Sequence, residues 1–186
     1  MTERPCVLLV SHSQEPFCTD RVAGALDRRG VDARRLDTDD FPSALSLSAE
    51  LDPRAGARLL LDDEPLVVSA VWLWRVWAPR LDDRLSAAHR EAATRESLTA
   101  LRGLLDMLTD VPWIDPLDRN RCAENKTRQL RLARGLGLSI PPTLITADPE
   151  AARRFFFAHD GQVVAKLQSW IGPSTPGGRG FPTRLL

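Results

Sequence analysis

A lysine inside an apolar run is the first place in this sequence where chemistry could sit. Val163-Val164-Ala165-Lys166-Leu167 reads as a strand carrying one ammonium group. A buried ammonium needs a partner or loses its proton, whereas on an edge strand it would face water. Lys126, in Glu124-Asn125-Lys126, falls in the first turn of a predicted helix. A helix N-terminus repels cations, and a bound anion would remove that objection because helix N-termini and lysine both favour phosphate. A solvated surface lysine is the alternative. In Trp72-Leu73-Trp74-Arg75-Val76-Trp77 an arginine stands among aromatic and aliphatic residues. It would serve either as a bidentate clamp on carboxylate or phosphate, or as one half of an internal salt bridge to the Asp37–Asp40 cluster.

Other chemistry is not supported. The loop Ser11 to Phe17 lies where a dinucleotide-binding fold holds pyrophosphate, but it lacks the GxGxxG glycines. Ser11 and His12 there read either as turn residues or as substrate contacts at a strand end. Cys6, Cys18 and Cys122 are scattered, and His12, His89 and His159 lie far apart, so neither a disulfide framework nor a zinc site is expected. Ser97 has no nucleophile-elbow context.

The elements that would position these residues follow from periodicity. Cys6–Val10 reads as a buried parallel strand, followed by a helix capped by Thr19 and ended by Gly30, then a strand over Val31–Leu36. Leu45 to Leu51 alternates apolar and polar residues, and the turn at Asp52–Gly56 leads to Arg58–Leu61, a β-hairpin. A strand is expected over Val67–Trp77, a helix over Leu81–Leu108 and a short strand at Pro112–Ile114. A helix from Asp118 or Asn120 to about Leu136 follows, then a strand at Thr143–Thr146. Asp148-Pro149-Glu150 is a strong helix start, leading to about His159. Gln162–Leu167 closes the regular part. Trp170–Leu186, crowded with proline and glycine, is expected to be coil.

The whole is an α/β pattern of 186 residues, 43% hydrophobic and 27% charged, with zero formal net charge. A zero balance points to neither nucleic acid nor an acidic membrane surface as partner. The N-terminal Met-Thr-Glu-Arg-Pro shows no signal-peptide apolar region, no stretch is long enough to span a bilayer, and a reducing cytoplasm fits.

Several of these pieces, in this order, resemble one family. They are Val7-Leu8-Leu9-Val10-Ser11-His12-Ser13, Asp20-Arg21-Val22, Leu36-Asp37-Thr38-Asp39, Ala70-Val71-Trp72 with Arg75, Arg90-Glu91-Ala92 and Arg95-Glu96-Ser97. Next come Ala123-Glu124-Asn125-Lys126 with Arg128-Gln129-Leu130, Gly137 to Leu144, and Val163-Val164-Ala165-Lys166. They are similar to the MvdD-like ATP-grasp ligases that mature microviridins and related graspetides, relatives of the RimK and glutathione-synthetase ligases. The resemblance implies a pre-ATP-grasp, Rossmann-like domain at residues 1–117 and a partial ATP-grasp central domain at 118–168. Residues 169–186 form a tail unlike the family.

The same resemblance implies ATP and magnesium as cofactors. Lys126 and Lys166 would contact ATP phosphates, Lys166 also lying near the adenine, and Arg75, the carboxylate or phosphate clamp read above, is the expected substrate contact. A ribosomally made precursor peptide would be the partner, with an acyl phosphate on its side-chain carboxylate attacked by a hydroxyl or amine of the same peptide. A homodimer is compatible with this. Two departures stand out. Trp74 takes a place where the family often has a basic residue. From Leu167 to Leu186 there is no Asp or Glu, whereas the family continues further and there carries its magnesium ligands. The expectation is a truncated lineage member, inactive as this chain. The alternative is a non-catalytic module or remnant that binds a precursor peptide or a partner ligase.

Overall fold

The computed structural model describes residues 4–168 and 184–185. The expected coil over Trp170–Leu186 lies almost wholly outside the described residues. The chain divides into two compact units, Met1–Leu117 and Asp118–Leu186.

The first unit is built on four parallel strands. β1 (Cys6–Ser11) leads through α1 (Pro16–Asp27) to β2 (Ala33–Asp37). A small antiparallel sheet follows, made of β3 (Leu47–Asp52), β4 (Gly56–Leu61) and β5 (Glu64–Pro65). The chain then returns as β6 (Val68–Leu73), crosses through α2 (Ala87–Asp106) and adds β7 (Trp113–Ile114). The strand order is β2-β1-β6-β7. Val10 lies beside Leu36 on one side and Leu73 on the other, so three strand ends meet at one edge.

Burial explains this sheet. Leu8 and Val10, Leu36, Val71 and Leu73 pack with Leu101, Leu105 and Leu108 and with the hairpin residues Leu47, Leu59 and Leu61. Leu9 alternates to the other face and is equally buried. A strand covered on both faces reads as the continuous apolar run seen from Leu8 to Val10.

Several boundaries differ from the sequence reading. Glu15, not Thr19, caps α1: its side chain accepts from the Cys18 N–H, and Pro16 supplies the helical φ. Thr19 is buried inside the helix. β6 stops at Leu73, because the last backbone bond to β1 is Trp74 N–H to the Val10 carbonyl. The expected alternation through Trp77 therefore fails beyond that point. α2 begins after Ser86, not at Leu81, since the Asp82 side chain accepts from the Arg84 N–H and holds a turn there.

The second unit contains α3 (Leu117–Glu124), α4 (Lys126–Gly135), α5 (Pro149–Ala158) and a two-stranded pairing of β8 (Val164–Ala165) with β9 (Arg184–Leu185). The single helix expected from Asp118 to Leu136 is two, because Asn125 takes an extended conformation and caps α4. Gly137, in the left-handed region at φ 74°, ends α4: the Leu138 N–H reaches the Ala133 carbonyl and the Gly137 N–H that of Arg134. Thr143–Thr146 is not a strand. Thr143 donates to the Pro141 carbonyl and Thr146 accepts from the Asp148 N–H, so local side-chain bonds replace a ladder. Asp148 caps α5 with Pro149 at its start, as expected.

Candidate functional site

The C-terminal edge of the parallel sheet gathers polar side chains that the interior does not expel. Ser11, His12, Thr19, Thr38 and Asp39 are all buried there. Buried polar groups persist when they are hydrogen-bonded, and most of these are. Thr38 Oγ1 donates to the Ser11 carbonyl at 3.0 Å and accepts from the Trp77 N–H at 2.9 Å, so it ties the segments after β2 and β6 to the end of β1. Thr19 Oγ1 donates to Ser11 Oγ at 3.1 Å.

Asp39 is the charged hub. Its carboxylate accepts from the Ser13 N–H at 2.8 Å and from Ser13 Oγ at 2.7 Å. Arg80 Nε lies 3.4 Å away and its guanidinium also pairs with Asp40. Burial alone would raise the Asp39 pKa, but the Ser13 and backbone bonds and the Arg80 charge together hold it below the ordinary value.

His12 differs from its neighbours. It is 4% exposed, and its Nδ1 is buried without a hydrogen-bond partner. Its ring stacks on Trp77 with centroids 3.6 Å apart and planes 5° from parallel. Burial lowers its pKa, with Arg75 adding to the lowering and Asp39, Glu15 and Asp37 opposing it, so the imidazole is held neutral more firmly than in water.

Arg75 is exposed, in the segment after β6. Of its two readings, the internal salt bridge to the Asp37–Asp40 cluster is not made among the described residues: Arg35 pairs with Asp37, and Arg80 with Asp39 and Asp40. Arg75 instead lies 5.8 Å from the Trp74 ring centroid, and Trp74 stacks on Trp72. Among the described residues it has no carboxylate partner.

Lys126 and Lys166 belong to the second unit. They are the only lysines of the chain, whose other cationic side chains are arginine or histidine. Lys126 is the first residue of α4, immediately after the Asn125 cap. Its Nζ donates to the Gln168 carbonyl at 2.5 Å, which draws the segment just beyond Lys166 to the start of the helix. Lys166 follows β8 and is exposed, so of its two readings the solvent-facing one holds.

The sequence reading did not find the Thr38 and Asp39 hubs, nor the stacking of Trp77 on His12. The one local signal was the run Asp37-Thr38-Asp39-Asp40 directly after a strand. No helix among the described residues is long and apolar enough to cross a membrane.

The fold has counterparts among known proteins. The MvdD pre-ATP grasp domain matches residues 6–121. Macrocyclase MdnB from Microcystis aeruginosa MRC superposes with a TM-score of 0.77 at 41% identity, over 87% of this chain and 54% of that one. Macrocyclase MdnC from the same organism, bound with precursor peptide MdnA, gives 0.81 at 29%, over 96% and 60%. A Chryseobacterium gregarium RiPP-associated ATP-grasp ligase in complex with ADP and a leader and core peptide gives 0.78 at 26%, over 98% and 56%. The chain thus spans little more than half the length of these structures. No match was found among curated protein sequences.

Proposed function

Since the chain belongs to the MvdD pre-ATP-grasp domain family, we propose that it derives from an ATP-dependent peptide ligase and that Lys126 and Lys166 bind ATP phosphates. The reaction of that lineage would join a side-chain carboxyl to a hydroxyl or amine within a ribosomal precursor peptide, as ester or amide. One observation carries the phosphate reading. A chain with 25 Lys and Arg residues uses lysine at two positions only, and both lie at the segment joined by Lys126 and Gln168. Lysine offers a compact point charge with three donors, suited to triphosphate oxygens rather than to planar carboxylate recognition. The start of α4 adds its free N–H groups and the positive end of its dipole.

Two lysines and the start of a helix suit the anionic phosphates of ATP. Among the described residues no three His, Cys, Asp or Glu side chains come together as a metal site. Phosphoryl transfer depends heavily on metal charge neutralisation; the reading proposed for these two lysines is nucleotide binding. Because Lys166 is exposed, binding should be weak, salt-sensitive and indifferent to the base.

Reductive ¹³C-methylation keeps the charge and labels only Lys126, Lys166 and the N-terminal amine. Titration with ATP and GTP should move both lysine signals alike, and Lys166→Ala should weaken both nucleotides by on the order of tenfold. Raised ionic strength should abolish the shifts. Lysine signals that stay still at millimolar ATP would sink the reading. Tight, adenine-selective binding that survives salt would refute the open site.

A second reading has its own support. The first unit holds the buried core and exposes Arg75 without a carboxylate partner among the described residues. A non-catalytic module that binds an acidic precursor peptide needs nothing more.

A further inference from the structure

The parallel sheet reverses direction at β1. From β1 the chain crosses to β2 on one side and later returns to the other side as β6. In open α/β sheets, ligands bind outside the carboxyl ends of the strands at such a switch point. Here that place holds His12, at the end of β1, and the segment Trp74–Trp77, at the end of β6. Arg75 is bracketed by two anchors: the Trp74 N–H bonded to the Val10 carbonyl, and Trp77, whose N–H bonds Thr38 and whose ring lies on His12.

The unused capacity at this edge is specific. Leaving a buried nitrogen without a partner is unfavourable, and His12 Nδ1 is the only such side-chain atom among the described residues. Its neighbours make full use of their groups: Ser13, Asp39 and Arg80 satisfy one another, and so do Ser11, Thr19 and Thr38. The imidazole is held neutral, so one of its nitrogens carries a proton and the other a lone pair. Two residues before the ring that covers it stands a guanidinium with no carboxylate of its own. A neutral donor beside a fixed cation recognises a carboxylate, taking one oxygen by charge and the other by a hydrogen bond.

We propose that His12 and Arg75 form a two-point site for one side-chain carboxylate of an acidic peptide, with Trp77 as the ring that shifts from the imidazole when the peptide enters. Arg75 supplies the charge and the His12 Nδ1–H the second bond. The exposed Trp74 flanks the bound side chain. This rests on the peptide reading above and gives it a specificity residue: the site takes glutamate or aspartate and rejects their amides, because an amide gives the guanidinium no charge to pair with.

The test uses the full chain, ¹⁵N-labelled, and two synthetic peptides: one of alternating glutamate and serine, and its glutamine counterpart. Long-range ¹H–¹⁵N spectra resolve the imidazoles of His12, His89 and His159. The glutamate peptide should move His12 Nδ1 alone towards a hydrogen-bonded donor and quench tryptophan emission. The glutamine peptide should do neither. Arg75→Gln and His12→Gln should each weaken binding at least fivefold, whereas His12→Asn, which places an amide near the Nδ1 position, should recover most of it. If the peptide binds through Arg75 while the His12 signals stay still and His12→Gln binds normally, the His12 site is wrong and the peptide reading survives. If the glutamate peptide does not bind at all, both fall. If inorganic phosphate reproduces the His12 shift at equal concentration, the site is a general anion site and the carboxylate assignment fails. The wild-type spectra decide the matter even where a variant does not fold.

Discussion

Two buried titratable side chains are both held in their deprotonated forms, Asp39 charged and His12 neutral, and each predicts a pH limb. Asp39 has a folded pKa below its ordinary 3.8, so its bonds to Ser13 and Arg80 contribute fully above that value and are lost as pH falls through the folded pKa. His12 is held below its ordinary 6.5. Below 6.5 the unfolded chain takes up the proton first, so stability contributed by the neutral ring declines as pH falls from there through the folded pKa. The charged groups around it include Glu15 from the start of α1, Asp37 and Asp39 from the end of β2, Arg75 after β6, and Arg35 of β2, whose guanidinium donates to the His12 carbonyl. Urea unfolding as a function of pH should therefore show a shallow loss starting just below 6.5 and a steeper one in the acid range. His12→Gln should flatten the first limb only. Asp39→Asn should flatten the second and cost about 2 kcal/mol at pH 7, because charge-assisted bonds to a buried carboxylate are lost. An unchanged first limb in His12→Gln would show that the imidazole titrates as if free in water. None of this was legible in the sequence. Ser13 meets Asp39 across 26 residues and Thr38 meets the Trp77 N–H across 39. Only the sheet brings those ends together.

Helix caps separate what local sequence determines from what it does not. Asp148-Pro149-Glu150 and Gly137 gave their helix ends directly, because a cap needs only residues within one turn. The end of β6, the start of α2 and the missing strand at Thr143–Thr146 did not follow from pattern. Each depends on whether a neighbouring strand or turn is there to pair, and alternation alone does not say. The three basic positions proposed for binding, Arg75, Lys126 and Lys166, stand out in the sequence by type and by their order along the chain. What the sequence could not give is which carboxylates the arginines choose: Arg35 and Arg80, not Arg75, take the Asp37–Asp40 cluster. A paired prediction follows for the second unit. Asn125 accepts from the Arg128 N–H and Asp148 from the Glu150 N–H, so replacing either with alanine should cost about 1 kcal/mol of helix stability. Only Asn125 precedes Lys126. Asn125→Ala should therefore weaken ATP along with helicity, while Asp148→Ala should lower helicity by circular dichroism and leave the nucleotide titration unchanged. Equal effects of the two on ATP would mean that Lys126 gains nothing from the start of α4.

The two units differ most in what they bury. Among the described residues, every buried residue of the hydrophobic core belongs to Met1–Leu117, where β1, β6 and α2 exclude water from Leu8, Val10, Val71, Leu101 and Leu105. In the second unit α3, α4 and α5 bury no residue fully, and Leu132, Leu136, Leu138 and Phe157 are more than half exposed. Hydrophobic burial is the main favourable term in folding, and short helices that lack it are marginal in water. Local opening free energies should then fall into two classes. Backbone amides of β1 and β6, and those of α2 around Leu101 and Leu105, should exchange only on global unfolding. Those of α3, α4 and α5 should exchange faster by several orders of magnitude, with trypsin cutting first at the exposed Arg128, Arg131 and Arg134. The phosphate contacts proposed for Lys126 and Lys166 would touch the start of one helix and the end of one strand. ATP should slow exchange at the first turn of α4 and around Val164–Ala165 and leave α5 as fast as before. Hydrogen exchange read by mass spectrometry, with and without ATP, checks this directly. Uniform slow exchange across α3–α5 would mean that the second unit has a core which burial among the described residues does not account for. Protection that spread to α5 on adding ATP would mean that the nucleotide organises the whole unit and is not merely held by two charges.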